Sequence, residues 1–394
     1  MSDEKDIIIR AEHLYKLYGV NKGAAQALIK EGFGKEEIFR QTGVTVAIDH
    51  VSFAVERKKI YVLIGLSGSG KSTVVRCLNG LNRPTSGKVL FNGENIQEFS
   101  KKELLDYRRN RISMVFQNFG LMSHRDVLSN VAYGLEVRGV QKAKREEKAR
   151  EIIAMVGLEG WEHKSIANLS GGMRQRVGIA RALTNDPDVL LMDEPFSALD
   201  PLVRNDMQNE LLLLQKKLNK TVVFITHDIN EAFKLGDTVT IMKDGKMIQT
   251  ATPEGMTSHP ADEYVEKFIN SANKSQVFCA EHIMCAPPCT VNLYDGANFA
   301  AAQMRNLGVT NAYVVNEASQ YLGMLSLEQV LRAEKGEASL SDLIMKKQPT
   351  VTKTTRIYDL MPVAAAAQYP IAVIDAKERL LGIVTQAEVL KSLV

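Results

Sequence analysis

The chain has 394 residues, 45% hydrophobic and 24% charged, the balance of a globular protein of two or three domains. A formal net charge of +3 gives no bulk electrostatic basis for binding nucleic acid. No apolar run approaches the roughly 18–20 residues that span a bilayer, and the four cysteines, Cys77, Cys279, Cys285 and Cys289, set no disulfide framework.

The chain opens with Ser2, Asp3, Glu4, Lys5 and Asp6 and lacks the apolar core of a secretory signal there. The expectation is a cytosolic protein that reaches a membrane through a partner. From Ile7 to about Thr240, strand-like and helix-like stretches alternate, which predicts an α/β domain. The short apolar runs Tyr61–Ile64, Val189–Met192, Val222–Ile225 and Val239–Met242 are predicted strands, buried on both faces. Lys142–Ile153 is charged and helix-prone, which predicts a solvated helical face.

Gly65-Leu66-Ser67-Gly68-Ser69-Gly70-Lys71-Ser72 matches G-x-x-x-x-G-K-[ST] in full. It follows a predicted strand and precedes the helix-like Thr73–Leu78, the context a phosphate loop requires. Its glycines let backbone N–H groups close around phosphate oxygens, and the helix adds its positive N-terminal end. Lys71 is expected on the β- and γ-phosphates of ATP, and the Ser72 hydroxyl on Mg²⁺. Further on, Val189–Met192 delivers Asp193 and Glu194 at a strand's C-terminal end, where open α/β sheets bind ligands. Asp193 suits the Mg²⁺ shell, and Glu194 suits a general base for the attacking water.

Between these two motifs lies Leu169-Ser170-Gly171-Gly172-Met173-Arg174-Gln175-Arg176. It resembles the signature sequence of the ABC ATPases, usually LSGGQ. The resemblance extends to Gln117 in Val115-Phe116-Gln117, to Ser197-Ala198-Leu199-Asp200 and to His227 in Thr226-His227-Asp228, all in the family's order. It implies a homodimer in which two ABC domains pair head to tail around two ATP molecules. Ser170, Gly171 and Gly172 would reach the γ-phosphate on the partner copy, and Asp200 would connect the two sites. Gln117 would sense Mg²⁺ and nucleotide, His227 would contact the γ-phosphate, and Thr73 would complete the nucleotide contacts. Met173 stands where glutamine is usual, but the key contacts involve Ser170 and backbone N–H groups, so activity is expected to survive. Tyr18 best matches the family's adenine-stacking aromatic. An insertion of residues 20–45 follows it and leaves open a different aromatic, Phe39 for instance.

A narrower resemblance covers nearly the whole chain. The insertion's Glu31-Gly32-Phe33-Gly34-Lys35-Glu36-Glu37-Ile38, Met173, and the stretch Val115–Leu121 are similar to ATPase subunits of glycine betaine/proline importers. That resemblance implies partners: an integral membrane permease and an extracytoplasmic substrate-binding protein, with this chain at the cytoplasmic face of the plasma membrane. A helical subdomain around residues 121–175 is expected, with Asn118–Asn130 forming part of the permease groove and Phe119, Leu121 and Met122 as apolar contacts. An importer of another amine or amino acid, or an ABC ATPase acting on nucleic acid, are the rival readings.

From Val277 onward a unit of about 60 residues occurs twice. Ala312–Val315 answers Ile371–Ile374, Leu322-Gly323 answers Leu381-Gly382, and Val330-Leu331 answers Val389-Leu390. The repeat resembles a tandem pair of CBS domains, an α+β regulatory module. The expected division is an ABC domain at 1–275 and the CBS module at 276–394, with Asn273–Gln276 as linker. The family's ribose-binding Ser/Thr-x-x-Asp is altered here: Ser326 is followed by Gln329 and Thr385 by Glu388. Cys279, His282, Cys285 and Cys289 form C-x-x-H-x-x-C-x-x-x-C, with residues 282 and 285 expected on one helix face. The types suit Zn²⁺ or an iron–sulfur cluster, but no second ligand pair supports them.

Overall fold

Sheet patterning explains the first part of the molecule. The structure is a computed structural model that describes residues 6–270, 278–346 and 348–392. Ser2–Lys5 and the expected linker Asn273–Gln276 lie outside the described residues. The chain divides between residues 271 and 272 into two compact units.

The first unit carries β1 (Ile7–Tyr18), β2 (Thr45–Glu56), β3 (Ile60–Ile64), β4 (Ser86–Phe91), β5 (Glu94–Asn95), β6 (Ile112–Val115), β7 (Val189–Asp193), β8 (Thr221–Thr226), β9 (Thr238–Lys243) and β10 (Lys246–Ala251). Buried and exposed residues alternate along β2, as in a sheet with one face on a core. It joins an antiparallel sheet of order β2-β1-β4-β5. In contrast, every residue of β3, β7 and β8 is buried, the mark of a sheet covered on both faces. Those strands form the middle of a sheet of order β10-β9-β3-β8-β7-β6, parallel except for β10. The helix Lys71–Leu78 contributes Val74, Val75, Cys77 and Leu78 to the same core as Ile9, Val55, Leu63, Val89, Leu191 and Ile225. Burying each such aliphatic side chain is worth about 2 kcal/mol.

The four predicted strands are β3, β7, β8 and β9, each observed one or two residues longer than expected. Residues 20–45 fold as two helices, Lys22–Lys30 and Lys35–Thr42, closed by Gly43 in the left-handed conformation. Ala25 and Ile38 pack with Leu17, Val44 and Val46 in a small core of their own. Tyr18 pairs with Thr45 across the base of this excursion, so the insertion caps the end of the β1–β2 hairpin and leaves the pairing intact. The helical segment runs through Val127–Val131, Tyr133–Val137 and Lys142–Met155 to a short turn at Ile166–Asn168. The helix that follows, Gly171–Leu183, continues well past residue 175 and leads back to the sheet at β7.

The second unit is α+β and built twice over. β11 (Thr290–Asn292) runs parallel to β12 (Asn311–Val315), which is antiparallel to β13 (Tyr321–Ser326). The same pattern returns in β14 (Thr350–Thr352), β15 (Ile371–Ile374) and β16 (Leu380–Val384). The sequence units are not the packing units, however. The helix Ala280–Ile283 leads the first sequence repeat but packs in the second repeat's core with Ile357, Leu360 and Val384. The helix Leu340–Leu343 leads the second repeat but packs against the first, near Val314, Leu325 and Val330. Two reciprocal backbone pairs mark this exchange: Met324 with Met345 (2.8 and 3.3 Å) and Cys285 with Ile383 (both 2.9 Å). Tyr313, Met324, Ala372 and Ile383 form the apolar seam between the repeats.

Gly323 sits beside one of these pairs at φ +141°, where a Cβ would lie 2.7 Å from the Met345 carbonyl oxygen and 2.5 Å from the Ile344 side chain. We predict that Gly323→Ala weakens the exchange by about 3 kcal/mol. Amide hydrogen exchange at Met324 and Met345 should then speed up on the order of 100-fold. Unchanged protection there would show that the close approach does not hold the repeats together.

Candidate functional site

The site begins where β3 ends. Gly70 adopts φ +100°, and a Cβ there would overlap the Ala47 carbonyl oxygen, so the loop closes this tightly only with glycine. The helix Lys71–Leu78 that follows has no side-chain cap at its N-terminus. Its first N–H groups are left for a ligand, and an anion is the ligand they favour. Lys71 is folded over the loop, with Nζ donating to the carbonyls of Gly65 (2.8 Å) and Leu66 (3.0 Å) and lying 3.4 Å from Ser69 Oγ. Burial pulls its ammonium below the ordinary lysine value, opposed by Glu194 and Asp193.

Asp193 ends β7 and accepts a hydrogen bond from Ser72 Oγ at 2.8 Å. Burial pushes its carboxyl above the usual range, against the pull of Ser72 and Arg76. Burial thus disfavours the charge on both Lys71 and Asp193 despite their mutual attraction, and a phosphate beside the first and a cation beside the second would favour the charged forms. The Ser72 hydroxyl, the Asp193 carboxylate and the Gln117 amide are hard, mostly oxygen donors of the kind Mg²⁺ takes.

Glu194 leaves the strand in the left-handed conformation, φ 46°, unusual for a non-glycine residue. Its N–H is held by the Ile225 carbonyl (3.1 Å), and its carbonyl accepts from Ser197 Oγ (3.0 Å). The carboxylate Oε2 meets His227 Nδ1 at 3.0 Å and accepts from Gln117 Nε2 at 3.3 Å. Gln117 Nε2 is also 3.5 Å from Ser197 Oγ. Ser197 belongs to the Ser-Ala-Leu-Asp run, but its sequence offers no sign that it props up Glu194.

A cleft of about 710 Å³ takes in part of this cluster, while Asp193, Ser197 and His227 stand behind its lining residues or beside them. Ser67, Gly68, Gly70, Lys71, Ser72 and Thr73 line it, and Gln117 and Glu194 face them. Thr45, Val46, Ala47, Asp244 and the insertion's Lys35, Glu36 and Phe39 complete the wall; of these only Phe39 has a candidate role from sequence, as the alternative to Tyr18. Tyr18 is not among the lining residues. Its hydroxyl accepts from Asn82 Nδ2 (2.9 Å), and Lys16 Nζ lies 4.9 Å from its ring centre.

The signature residues do not line this cleft either. Ser170 caps the helix Gly171–Leu183, its Oγ accepting from Met173 N–H at 3.3 Å, and Gly171 is exposed. Gly172 is buried, and a Cβ there would come within 2.6 Å of the Val203 side chain. Val203 belongs to the helix Pro201–Leu218, which Asp200 caps by accepting from Val203 N–H at 3.1 Å. Gly172 thus lets the signature and the Asp200 cap pack together.

A second cleft of about 530 Å³ is lined by Phe116, Gly120, Met122, Tyr133, Val137 and Arg181, among others. Met122 lines it, whereas Phe119 and Leu121 do not. Phe119 is left-handed (φ 57°), and its carbonyl accepts from Arg181 Nη2 at 3.0 Å, while Arg181 Nη1 holds the Gly120 carbonyl at 2.7 Å. In the second unit Ser326 and Gln329 are spent on a reciprocal helix cap, Thr385 caps the helix Gln386–Lys391, and Glu388 pairs with Lys391.

The cysteine cluster does not assemble as the helix-face argument requires. The helix Ala280–Ile283 stops before Cys285, which pairs with Ile383 instead. Cys279 Sγ and His282 Nδ1 are 3.1 Å apart, but Cys289 is buried in the first repeat's core, which pushes its thiol up. Among the described residues no group of three or more His, Cys, Asp or Glu is placed to hold a metal ion.

The ABC transporter family model matches residues 48–197, and the CBS domain model matches 280–336 and 340–394. The glycine betaine transport ATP-binding protein OpuAA of Bacillus subtilis is 45% identical over 99% of this chain and 93% of that one. The chain belongs to the ABC transporter ATP-binding proteins. The glycine betaine/carnitine transport ATP-binding protein GbuA of Listeria monocytogenes is 44% identical over 98% of this ATPase and 97% of its own length. A bacterial ABC transporter cassette solved as a dimer is 30% identical, with a TM-score of 0.53 over 62% of this chain and 98% of its own. The fold of this ABC ATPase is thus the family's α/β cassette followed by tandem CBS domains.

If Glu194 takes the proton of the attacking water, Glu194→Gln slows phosphate release by on the order of 10²–10⁴-fold. ATP binding, measured on the same protein, should change by less than about threefold, because the phosphate cradle is untouched. Hydrolysis within about tenfold of wild type would remove Glu194 from that role.

Proposed function

We propose that this ATPase drives an importer for glycine betaine or a related quaternary-ammonium osmoprotectant. Glu194, which lines the phosphate cleft and is turned out of β7 toward Gln117 and His227, is the observation that carries the hydrolytic part. Membership of the ABC transporter ATP-binding proteins supports the transport part. The two named relatives, from Bacillus subtilis and Listeria monocytogenes, support the cargo class.

On this reading Lys71 exchanges its two carbonyl partners for the β- and γ-phosphates of ATP. The open N–H groups of the helix Lys71–Leu78 bind phosphate oxygens at once. Ser72, Asp193 and Gln117 would hold Mg²⁺, which when bound neutralises phosphate charge. Glu194 accepts a proton from the water that attacks the γ-phosphorus, and His227 orients that carboxylate and contacts the γ-phosphate. Ser170, Gly171 and Gly172 act on the ATP of a partner copy, with Asp200 at the join. Their position outside this chain's own cleft supports that pairing, as does the dimeric cassette among the structural relatives.

Among the described residues no helix is long and apolar enough to cross a membrane. The membrane-spanning work falls to a permease, with this chain on its cytoplasmic face and a substrate-binding protein outside. The second cleft is apolar along Phe116, Met122, Tyr133 and Val137 and suits a short helix of that permease. Arg181, on the signature helix, grips the carbonyls of residues 119 and 120 in its wall, which would tie the docked helix to the nucleotide site. The CBS pair restrains the ATPase until a cytosolic signal arrives.

The test is uptake by the whole transporter in lipid vesicles, with ATP inside and the binding protein outside. Wild type should take up glycine betaine in proportion to phosphate released, and Glu194→Gln should abolish both. Phosphate release stimulated by a different amine, with no glycine betaine uptake, would move the cargo. No ATP-dependent uptake of any amine would contradict the reading.

A further inference from the structure

We propose that Phe39, on the helix contributed by the insertion, is the platform on which the adenine of ATP stacks. This rests on the ATP-binding reading of the cleft and specifies its base-facing wall.

Lys35, Glu36 and Phe39 all line the cleft that holds Lys71, Ser72 and Thr73. Residues 35 and 39 are four apart on the helix Lys35–Thr42, so they share the face turned to the cleft. The neighbouring Ile38 is 1% exposed and packs with Leu17, Ala25, Val44 and Val46, which fixes the rotation of the helix. Phe39 is 57% exposed, a large aromatic ring left open on the cleft wall. A purine face would cover it, and every base offers such a face.

Tyr18 is placed differently. Its backbone pairs with Thr45, itself a lining residue, but its hydroxyl is tied to Asn82 and its ring is attended by Lys16. The helical insertion built on the hairpin end puts Phe39 on the cleft wall in its place. The platform thus comes from a segment with its own small core, and nucleotide affinity depends on how that segment packs.

The experiment uses the full chain and two probes, ATP and inorganic tripolyphosphate. Losing one base–aromatic stack should weaken ATP binding by roughly 10- to 100-fold in Phe39→Ala, with GTP weakened equally, because stacking does not read exocyclic groups. Tripolyphosphate binding should stay within about twofold, since the cradle does not involve the ring. Tyr18→Ala should cost about tenfold less than Phe39→Ala. A direct readout is Phe39→Trp in a Trp161→Phe background, which leaves one tryptophan in the chain. Its fluorescence should be quenched by ATP and not by tripolyphosphate. Unchanged ATP affinity in Phe39→Ala overturns the proposal alone, as does equal loss of both probes, which would make Phe39 a packing residue. Wild type that binds neither probe overturns the nucleotide reading as well.

Discussion

β3 is hydrogen-bonded to β8 on one edge and β9 on the other, and all five of its residues are buried. A strand held on both edges and both faces cannot shift without breaking two ladders and reopening the core. The loop leaving its C-terminal end is therefore fixed in place, and Gly70 closes that loop against the Ala47 carbonyl. The helix Lys71–Leu78 is pinned in turn by Val74, Val75, Cys77 and Leu78. A phosphate cradle made of backbone N–H groups has no side chains to adjust, so its accuracy comes from this anchoring.

The chemistry is assembled from the same end of neighbouring strands. Gln117 follows β6, Asp193 ends β7 and Glu194 follows it, His227 follows β8, and Lys71 and Ser72 come after β3. These strands are parallel, so their C-terminal ends share one edge of the sheet, where α/β proteins place ligands. The Ser72–Asp193 hydrogen bond joins residues 121 apart in sequence across that edge. The left-handed turn at Glu194 costs about 1–2 kcal/mol. Bonds to Ile225 and Ser197 offset that cost and turn the carboxylate toward the cleft.

Much of this is legible in the residues because local chemistry dictates it. A fully apolar run of four or five residues before a Gly-rich loop forces a buried strand, and the loop forces a helix start. The acidic pair after Val189–Met192 reads the same way. Where sequence fell short, the outcome turned on packing between distant segments. From sequence alone Tyr18 and Phe39 are both open as aromatics for the base, and only the folding of residues 20–45 shows that Phe39 lies on the cleft. Residues 282 and 285 have helical spacing, but Cys285 is drawn into pairing with Ile383, and the helix stops at Ile283. The repeat is visible as spacing, whereas the exchange of leading segments between repeats is a matter of which core each helix enters. Arg181 is an ordinary basic residue of a helix until its two carbonyl partners are seen.

On the proposed reading one chain holds half of each working site, because its signature residues sit away from its own phosphate cleft. Sedimentation of the Glu194→Gln protein with ATP, with ADP and with no nucleotide tests this most directly. A dimer is expected with ATP alone, and it should be lost when Ser170→Arg adds a bulky cation at the signature. A Glu194→Gln protein that binds ATP tightly yet sediments as a monomer, or a dimer indifferent to nucleotide and to Ser170→Arg, would contradict it.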